Sequence, residues 1–383
     1  MSRIIFKANP VVKKWAYPNL YGSGKLYQAI KDKSKLLYKP YRTPLVCLNP
    51  VLAFWLRTKY EKSPDFKETR ILIPMSDGGT VGVDMMELPG RTVNPSLPNV
   101  IVFPGGNETF KSTKPKTLMR TYLEAGYPRV FIANCRGKGH TALTSPRFTY
   151  PFGEFNDIHG VVEVLEEKFK DERWLLSGSC YGGSCIVDYL ASENSKRNSV
   201  IGGVVHSMQW NVNRTHERNM KEPVFSLFTK PWLLSNRDKL LNEKPGEEEV
   251  HKQIIELIGD EVAEELRNSK MDTEEDAENL YNKGLMQLTG YAMNNRDDYV
   301  RLFSCDVKVP TITKPLMVIN AVDDITFPMN QDDIANIVSN PNLCLWLFAA
   351  GGHCAFVKSL FPVTNWIDDV MVECSNIVCE TEL

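Results

Sequence analysis

The residues best suited to do chemistry sit in Leu175-Leu176-Ser177-Gly178-Ser179-Cys180-Tyr181-Gly182-Gly183-Ser184-Cys185. An apolar run closes in Gly-x-Cys-x-Gly and continues into Ile186-Val187-Asp188-Tyr189-Leu190, which reads as strand, tight turn and helix. So sharp a turn gives its central residue unfavourable backbone angles and leaves no room for a Cβ two positions to either side. Gly178 and Gly182 meet that need. Shifting the frame removes the fit, because Ser179 would have Tyr181 two places on and Ser184 would have Ile186. Cys180 is therefore the candidate nucleophile. The start of a helix favours a thiolate there, and its N–H groups can hold a developing oxyanion. The competing reading is a glycine-rich turn that holds a small buried cysteine.

A nucleophile of this kind needs a base, and the base an orienting acid. His353 follows Gly351-Gly352 late in the chain; His140, His159, His206, His216 and His251 lack that position and that approach. Its imidazole, with an ordinary pKa of about 6.5, suits proton transfer near neutrality. Asp323 and Asp324 compete for the acid, since adjacent side chains cannot both point at one ring. Pro328, which turns the chain beyond the strand end, favours Asp324 and leaves Asp323 as a turn acid. Gly106 and Tyr181 are the expected donors of an oxyanion hole. Cys185, one helical turn beyond Cys180, is expected to face the core. The order nucleophile, acid, histidine is the one α/β-hydrolases use. A thiol nucleophile would pass through a thioester, which suits esters, thioesters and lactones better than amides. No Cys/His cluster has metal-ligand spacing and no phosphate-binding loop motif occurs, so neither metal nor cofactor is expected.

These residues must be held by a sheet. Residues 68–92 read as a hairpin turning at Asp77-Gly78-Gly79. Buried strands are expected at Asn99–Phe103, Arg129–Asn134, Val200–Val205, Pro315–Ala321 and Leu343–Phe348, with a helix from about Phe155 to Phe169 and a last helix from near Val363 to about Cys374. Strands alternating with helices predict an α/β fold with a mostly parallel sheet covered on both faces. Functional residues then gather at the strands' carboxyl ends. Residues 61–208 and 301–383 are assigned to that domain. Residues 209–300 are helical and charged, clearest at Glu247–Arg267 and Thr273–Leu288, and are expected to form a cap or lid.

Residues 1–60 carry twelve Lys/Arg against one acid, Asp32, although the whole chain has a net charge of −2. Aromatics such as Trp15, Tyr38 and Trp55 are interleaved with them. This extension suits an anionic membrane surface, or else packs across the catalytic domain with its lysines solvated. No nucleic-acid motif accompanies the charge. No apolar signal-peptide core is evident, and Pro44–Leu56 is shorter than the roughly 20 residues a membrane span needs. Nine cysteines without a CxxC pair read as reduced thiols. A cytoplasmic or peripherally membrane-associated protein is expected.

Further motifs extend this pattern: Asp77-Gly78-Gly79 with Asp84, Pro104-Gly105, and Asn134-x-Arg136-Gly137-x-Gly139 with Thr144-x-Pro146-Arg147. Gly178-x-x-x-Gly182-Gly183, Asn320-Ala321-x-Asp323-Asp324 and Gly351-Gly352-His353 complete it. With these, the chain from about Tyr38 to the last helix resembles the AB-hydrolase-4 branch of the α/β-hydrolase superfamily, which includes α/β-hydrolase-domain lipases. The resemblance implies ester hydrolysis on acyl lipids without a cofactor, with Asp324 and His353 at the family's acid and base positions. Cys180 stands where the family has serine, and the family's amino-terminal membrane span is not visible. The first functional expectation is thus a Cys-His-Asp acyl hydrolase. The second is a catalytically weakened member that binds a lipid or protein partner.

Overall fold

The computed structural model describes residues 19–106, 108–147, 156–196, 199–222, 224–289 and 296–381. Residues 1–18 of the basic segment, Asn107 and the expected helix start at Phe155 lie outside them. Strands β1 (Asn19–Gly22), β2 (Lys67–Pro74), β3 (Thr80–Glu87), β4 (Asn99–Phe103), β5 (Val130–Ala133), β6 (Trp174–Ser179), β7 (Val200–His206), β8 (Leu316–Ala321) and β9 (Leu343–Phe348) build one sheet in the order β1-β9-β8-β7-β6-β4-β5-β3-β2. From β5 through β9 every pairing is parallel. The β2–β3 hairpin joins β5 antiparallel, and β1 closes the other edge antiparallel to β9.

The central strands are apolar and buried along their whole length because both faces are covered. Among the helices, α1 (Lys25–Lys33) and α2 (Pro50–Tyr60) precede the hairpin, while α3 (Thr113–Glu124), α4 (Asn156–Lys168) and α5 (Tyr181–Ala191) connect strands. Between β7 and β8 lie α6 (Val212–Asn219), α7 (Lys230–Leu241), α8 (Glu248–Ile258), α9 (Asp260–Asn268), α10 (Glu274–Asn279) and α11 (Arg296–Phe303). Finally α12 (Gln331–Ser339) precedes β9 and α13 (Ile367–Thr381) ends the fold. One face of the sheet packs Val162 of α4, Ile186 of α5 and Ile337 of α12. The other packs Ile30 of α1, Met119 of α3 and Met371 of α13. The insertion keeps a core of its own around Leu233, Leu240, Leu266 and Leu280.

Two local expectations change. Glu247–Arg267 is not one helix: Gly259, at φ +86°, ends α8 and starts α9. The last helix begins four residues later than Val363 and runs past Cys374, because Val363–Asn365 (β11) pairs antiparallel with Val357–Leu360 (β10) and Asn365 accepts the Asp368 N–H at the helix start. Residues 19–60 pack across the sheet domain. β1 extends the sheet, α1 packs on α13, and Tyr41 donates to the Val357 carbonyl at 2.9 Å. Among the described residues, no helix is long and apolar enough to cross a membrane.

The shared motifs outside the site turn out to be braces. Asp84 accepts both Arg70 (2.8 Å) and Asn134 (2.7 Å), and Arg136 spans Asp77 and Asp157. These pairs tie the hairpin to the loop leaving β5 and to α4.

Candidate active site

The turn between β6 and α5 has the geometry its glycines require. Cys180 sits at φ +52°, ψ −123°, left-handed and strained for a residue with a Cβ, and α5 begins at Tyr181. A Cβ on Gly182 would stand 1.9 Å from the Phe103 carbonyl oxygen, and one on Gly178 would stand 2.7 Å from Ile186. The turn is tied down by the Cys180 N–H, which donates to the His206 carbonyl at 3.0 Å. Cys180 is half-buried and lines a cavity, whereas Cys185 is buried in the core with burial pushing its thiol pKa well up.

His353 reaches the same cavity from the loop after β9. Its Nδ1 lies 3.2 and 3.1 Å from the two carboxylate oxygens of Asp324, which is fully buried at its side chain. One Asp324 oxygen also accepts the Thr326 and Phe327 N–H groups at 2.9 Å, so the carboxylate is fixed before it meets the ring. Asp323 turns away and accepts the Gly352 N–H at 2.8 Å, holding the approach to His353. The two acids divide the work of orienting ring and loop.

The other ring nitrogen carries a finding the sequence did not announce. His353 Nε2 lies 3.7 Å from the thiol of Cys354, itself buried and at φ +53°. Burial works against charge on His353, but the negative fields of Cys354, Asp324 and Cys180 outweigh it and hold its pKa well above ordinary. Burial likewise opposes the Cys354 thiolate, yet the imidazolium and His206 bring that pKa down to about 6. His206 and Ser207, at the end of β7, link the two halves. His206 anchors Cys180, and the Ser207 hydroxyl accepts the Cys354 N–H at 3.1 Å.

Behind this loop stands Arg57 of α2, 1 % exposed. It donates to the Cys354 carbonyl at 2.8 Å and pairs with Glu61 (2.9 Å) and Asp368 (3.3 Å). Burial pushes the Asp368 pKa up to about 6 despite the guanidinium. Nothing in the spacing of the chain joins Arg57 to a loop 297 residues away.

Opposite Cys180, the loop after β4 presents Gly105 and Gly106 to the cavity. A Cβ on Gly105 would lie 3.4 Å from that of Cys180. The Gly105 N–H donates to Glu108 at 3.2 Å, and Lys138 donates to the Gly106 carbonyl, so both peptide planes are held. Tyr181 lines the cavity at the helix start.

The cavity measures about 410 Å³ and is roofed by the insertion between β7 and β8, including Val212, Leu227, Phe228 and Trp232. Phe54 of α2 meets Phe228 edge-on at 5.4 Å. On the roof, His216, Glu274 and Glu278 bring donor atoms within 4.8 Å of one another, a grouping that separation along the chain hid.

Eight strands in the order β2-β3-β5-β4-β6-β7-β8-β9, a strained turn after β6, and an Asp–His pair after β8 and β9 define the α/β-hydrolase fold. No family model matches the chain. It is 24% identical over 336 residues to "Phospholipase ABHD3" of Mus musculus, covering 87% of this chain and 77% of that protein. It is 26% identical over 393 aligned positions to "Monoacylglycerol lipase ABHD2" of Homo sapiens, covering 96% and 87%. Among solved structures, the Pyrococcus furiosus esterase Pf2001 is similar at a TM-score of 0.49 and 14% identity, over 83% of this chain and 96% of that one.

Proposed function

We propose that this chain hydrolyses acyl esters of lipids or other hydrophobic alcohols through Cys180, His353 and Asp324. One observation carries the reading: a strained, glycine-framed thiol and a histidine oriented by a buried carboxylate open into the same largely apolar cavity. The Cys180 thiolate attacks the ester carbonyl carbon, and the oxyanion is met by the N–H groups of Gly106 and Tyr181. Protonated His353 gives its Nε2 proton to the departing alkoxide, leaving a thioester on Cys180. Neutral His353 then takes a proton from water, which attacks the thioester and releases the acid and the thiol. Residues 209–300 serve as the cap that shapes the acyl site. The named relatives, a phospholipase and a monoacylglycerol lipase, support a lipid substrate. The basic amino-terminal segment supports peripheral contact with a lipid surface, and no cofactor or nucleic acid is part of the reading.

A second reading, a weakened site that binds a lipid or protein partner without turnover, gains support from His353 Nε2 facing Cys354. A panel of esters and thioesters on the wild type, Cys180→Ser, Cys180→Ala and Cys185→Ala separates the two. Turnover lost in Cys180→Ala and kept in Cys185→Ala is the expected result. Equal activity in the wild type and Cys180→Ala would remove the enzymatic reading.

A further inference from the structure

Large apolar side chains left in solvent are unevenly placed in this molecule. Of the thirteen exposed ones among the described residues, six fall between Tyr38 and Tyr60. Leu45 (66 % exposed) and Val46 stand on the short turn before α2, and Leu52, Trp55 (47 %) and Tyr60 stand on α2 itself. The β10–β11 hairpin packs against α2 through Ala53, Val357 and Val363, and its tip carries Phe361, 92 % exposed. Exposed Leu227 adds a seventh on the cavity roof, where its neighbour Phe228 meets Phe54 of α2. A contiguous set of this kind marks an interaction surface.

The exposed charge of the segment that carries α2 is one-sided, and beside the hairpin Asp369 is paired by Lys358. Lys35, Lys39, Arg42, Lys59 and Lys62 are all exposed. Between Lys33 and Lys62 the one acid is Glu61, and it is buried against Arg57. Lys59 lies 5.5 Å from the Trp55 ring centroid. Aromatic and aliphatic side chains rimmed by lysine and arginine match the acyl–headgroup boundary of an anionic bilayer, where apolar groups enter and cations stay with the phosphates. At 11 residues, α2 is about 16 Å long, too short to cross a hydrocarbon layer of about 30 Å.

Resting on the lipid-ester reading above, we infer that α2, the turn before it and the Phe361 hairpin tip dock this chain on an anionic lipid surface, bringing the rim of the catalytic cavity to the bilayer. Phe54 makes the connection, since it belongs to α2, touches Phe228 of the roof and lines the cavity. A lipid leaving the surface beside α2 meets the cavity without crossing bulk water.

The test uses the full chain with Leu52→Glu, Trp55→Glu and Phe361→Glu, none of which lines the cavity. Partition is measured by co-sedimentation with vesicles of phosphatidylcholine alone and of phosphatidylcholine mixed with phosphatidylserine. Turnover of p-nitrophenyl acetate is followed in parallel. The wild type is expected to prefer the mixed vesicles, and each variant to partition at least ~10-fold more weakly while hydrolysing the soluble ester at the wild-type rate. Equal partition of wild type and variants overturns the docking surface. So does a dimer, seen by sedimentation velocity, that Trp55→Glu dissolves while vesicle binding stays unchanged. Loss of vesicle binding in the variants of a chain that never hydrolyses the soluble ester upholds the surface and removes only the enzymatic reading.

Discussion

Cys354 changes what the neighbouring histidine can do. Its thiolate is one of the charges that hold the His353 pKa well above ordinary, and a protonated imidazole cannot act as the base for water attack. Turnover limited by that step should therefore rise with pH as His353 loses its proton. Cys354→Ala removes a negative neighbour, lowers the His353 pKa and moves the rising limb toward lower pH, a shift readable in the pH profile of kcat. An unmoved limb would mean the two groups do not share charge. Gly182 makes a purely steric prediction. With the Phe103 oxygen 1.9 Å from a new Cβ, Gly182→Ala must push β4 away from α5. Overpacking of this kind costs about 1–3 kcal/mol and should appear as a lowered Tm together with lost turnover. The glycine framing, Asp324 and His353 were all legible in the sequence because each sits beside a strand end marked by an apolar run. Cys354, His206 and Ser207 were not, because their importance lies in backbone and side-chain contacts between strands distant along the chain.

Among the elements, α2 is the least expected contributor. Its Arg57 ties the carbonyl after His353 to Glu61 and Asp368, all three side chains being nearly solvent-free. Arg57→Met leaves two buried carboxylates without their cation, and losing one partner of such a group costs about 3–5 kcal/mol. Calorimetry should show that loss, and Arg57→Lys should recover part of it through the retained charge. The strands were readable because buried parallel strands are continuous apolar runs. Element ends were less so. Val363-Thr364-Asn365 follows the helix pattern of the residues after it, yet pairs across the hairpin with Val357–Leu360. Gly259 divides what the periodicity joins.

Across the molecule, the insertion between β7 and β8 and the sheet are separate cores meeting over one cavity. The acyl chain is expected to rest on the insertion and the carbonyl on the sheet side. Trp232 packs against the insertion's core and lines the cavity, so Trp232→Ala should raise KM for long-chain esters by ~10-fold, the equivalent of about 1.4 kcal/mol, and leave acetate esters unchanged. Steady-state kinetics on an acyl-length series reads this directly. That a roof would exist was visible in the charged helical stretch. What it covers depends on contacts such as Phe54 with Phe228 that link residues 174 positions apart.

The short strand β1 has a practical consequence. It covers the outer ladder of β9, whose Leu343-Cys344-Leu345-Trp346-Leu347-Phe348 is apolar throughout. A fragment trimmed to start at the hairpin would leave that edge open as a template for another chain, so it should oligomerise or precipitate more readily than a chain that keeps β1. Light scattering on fragments beginning before and after Asn19–Gly22 would reveal whether four residues guard this fold against its own copies.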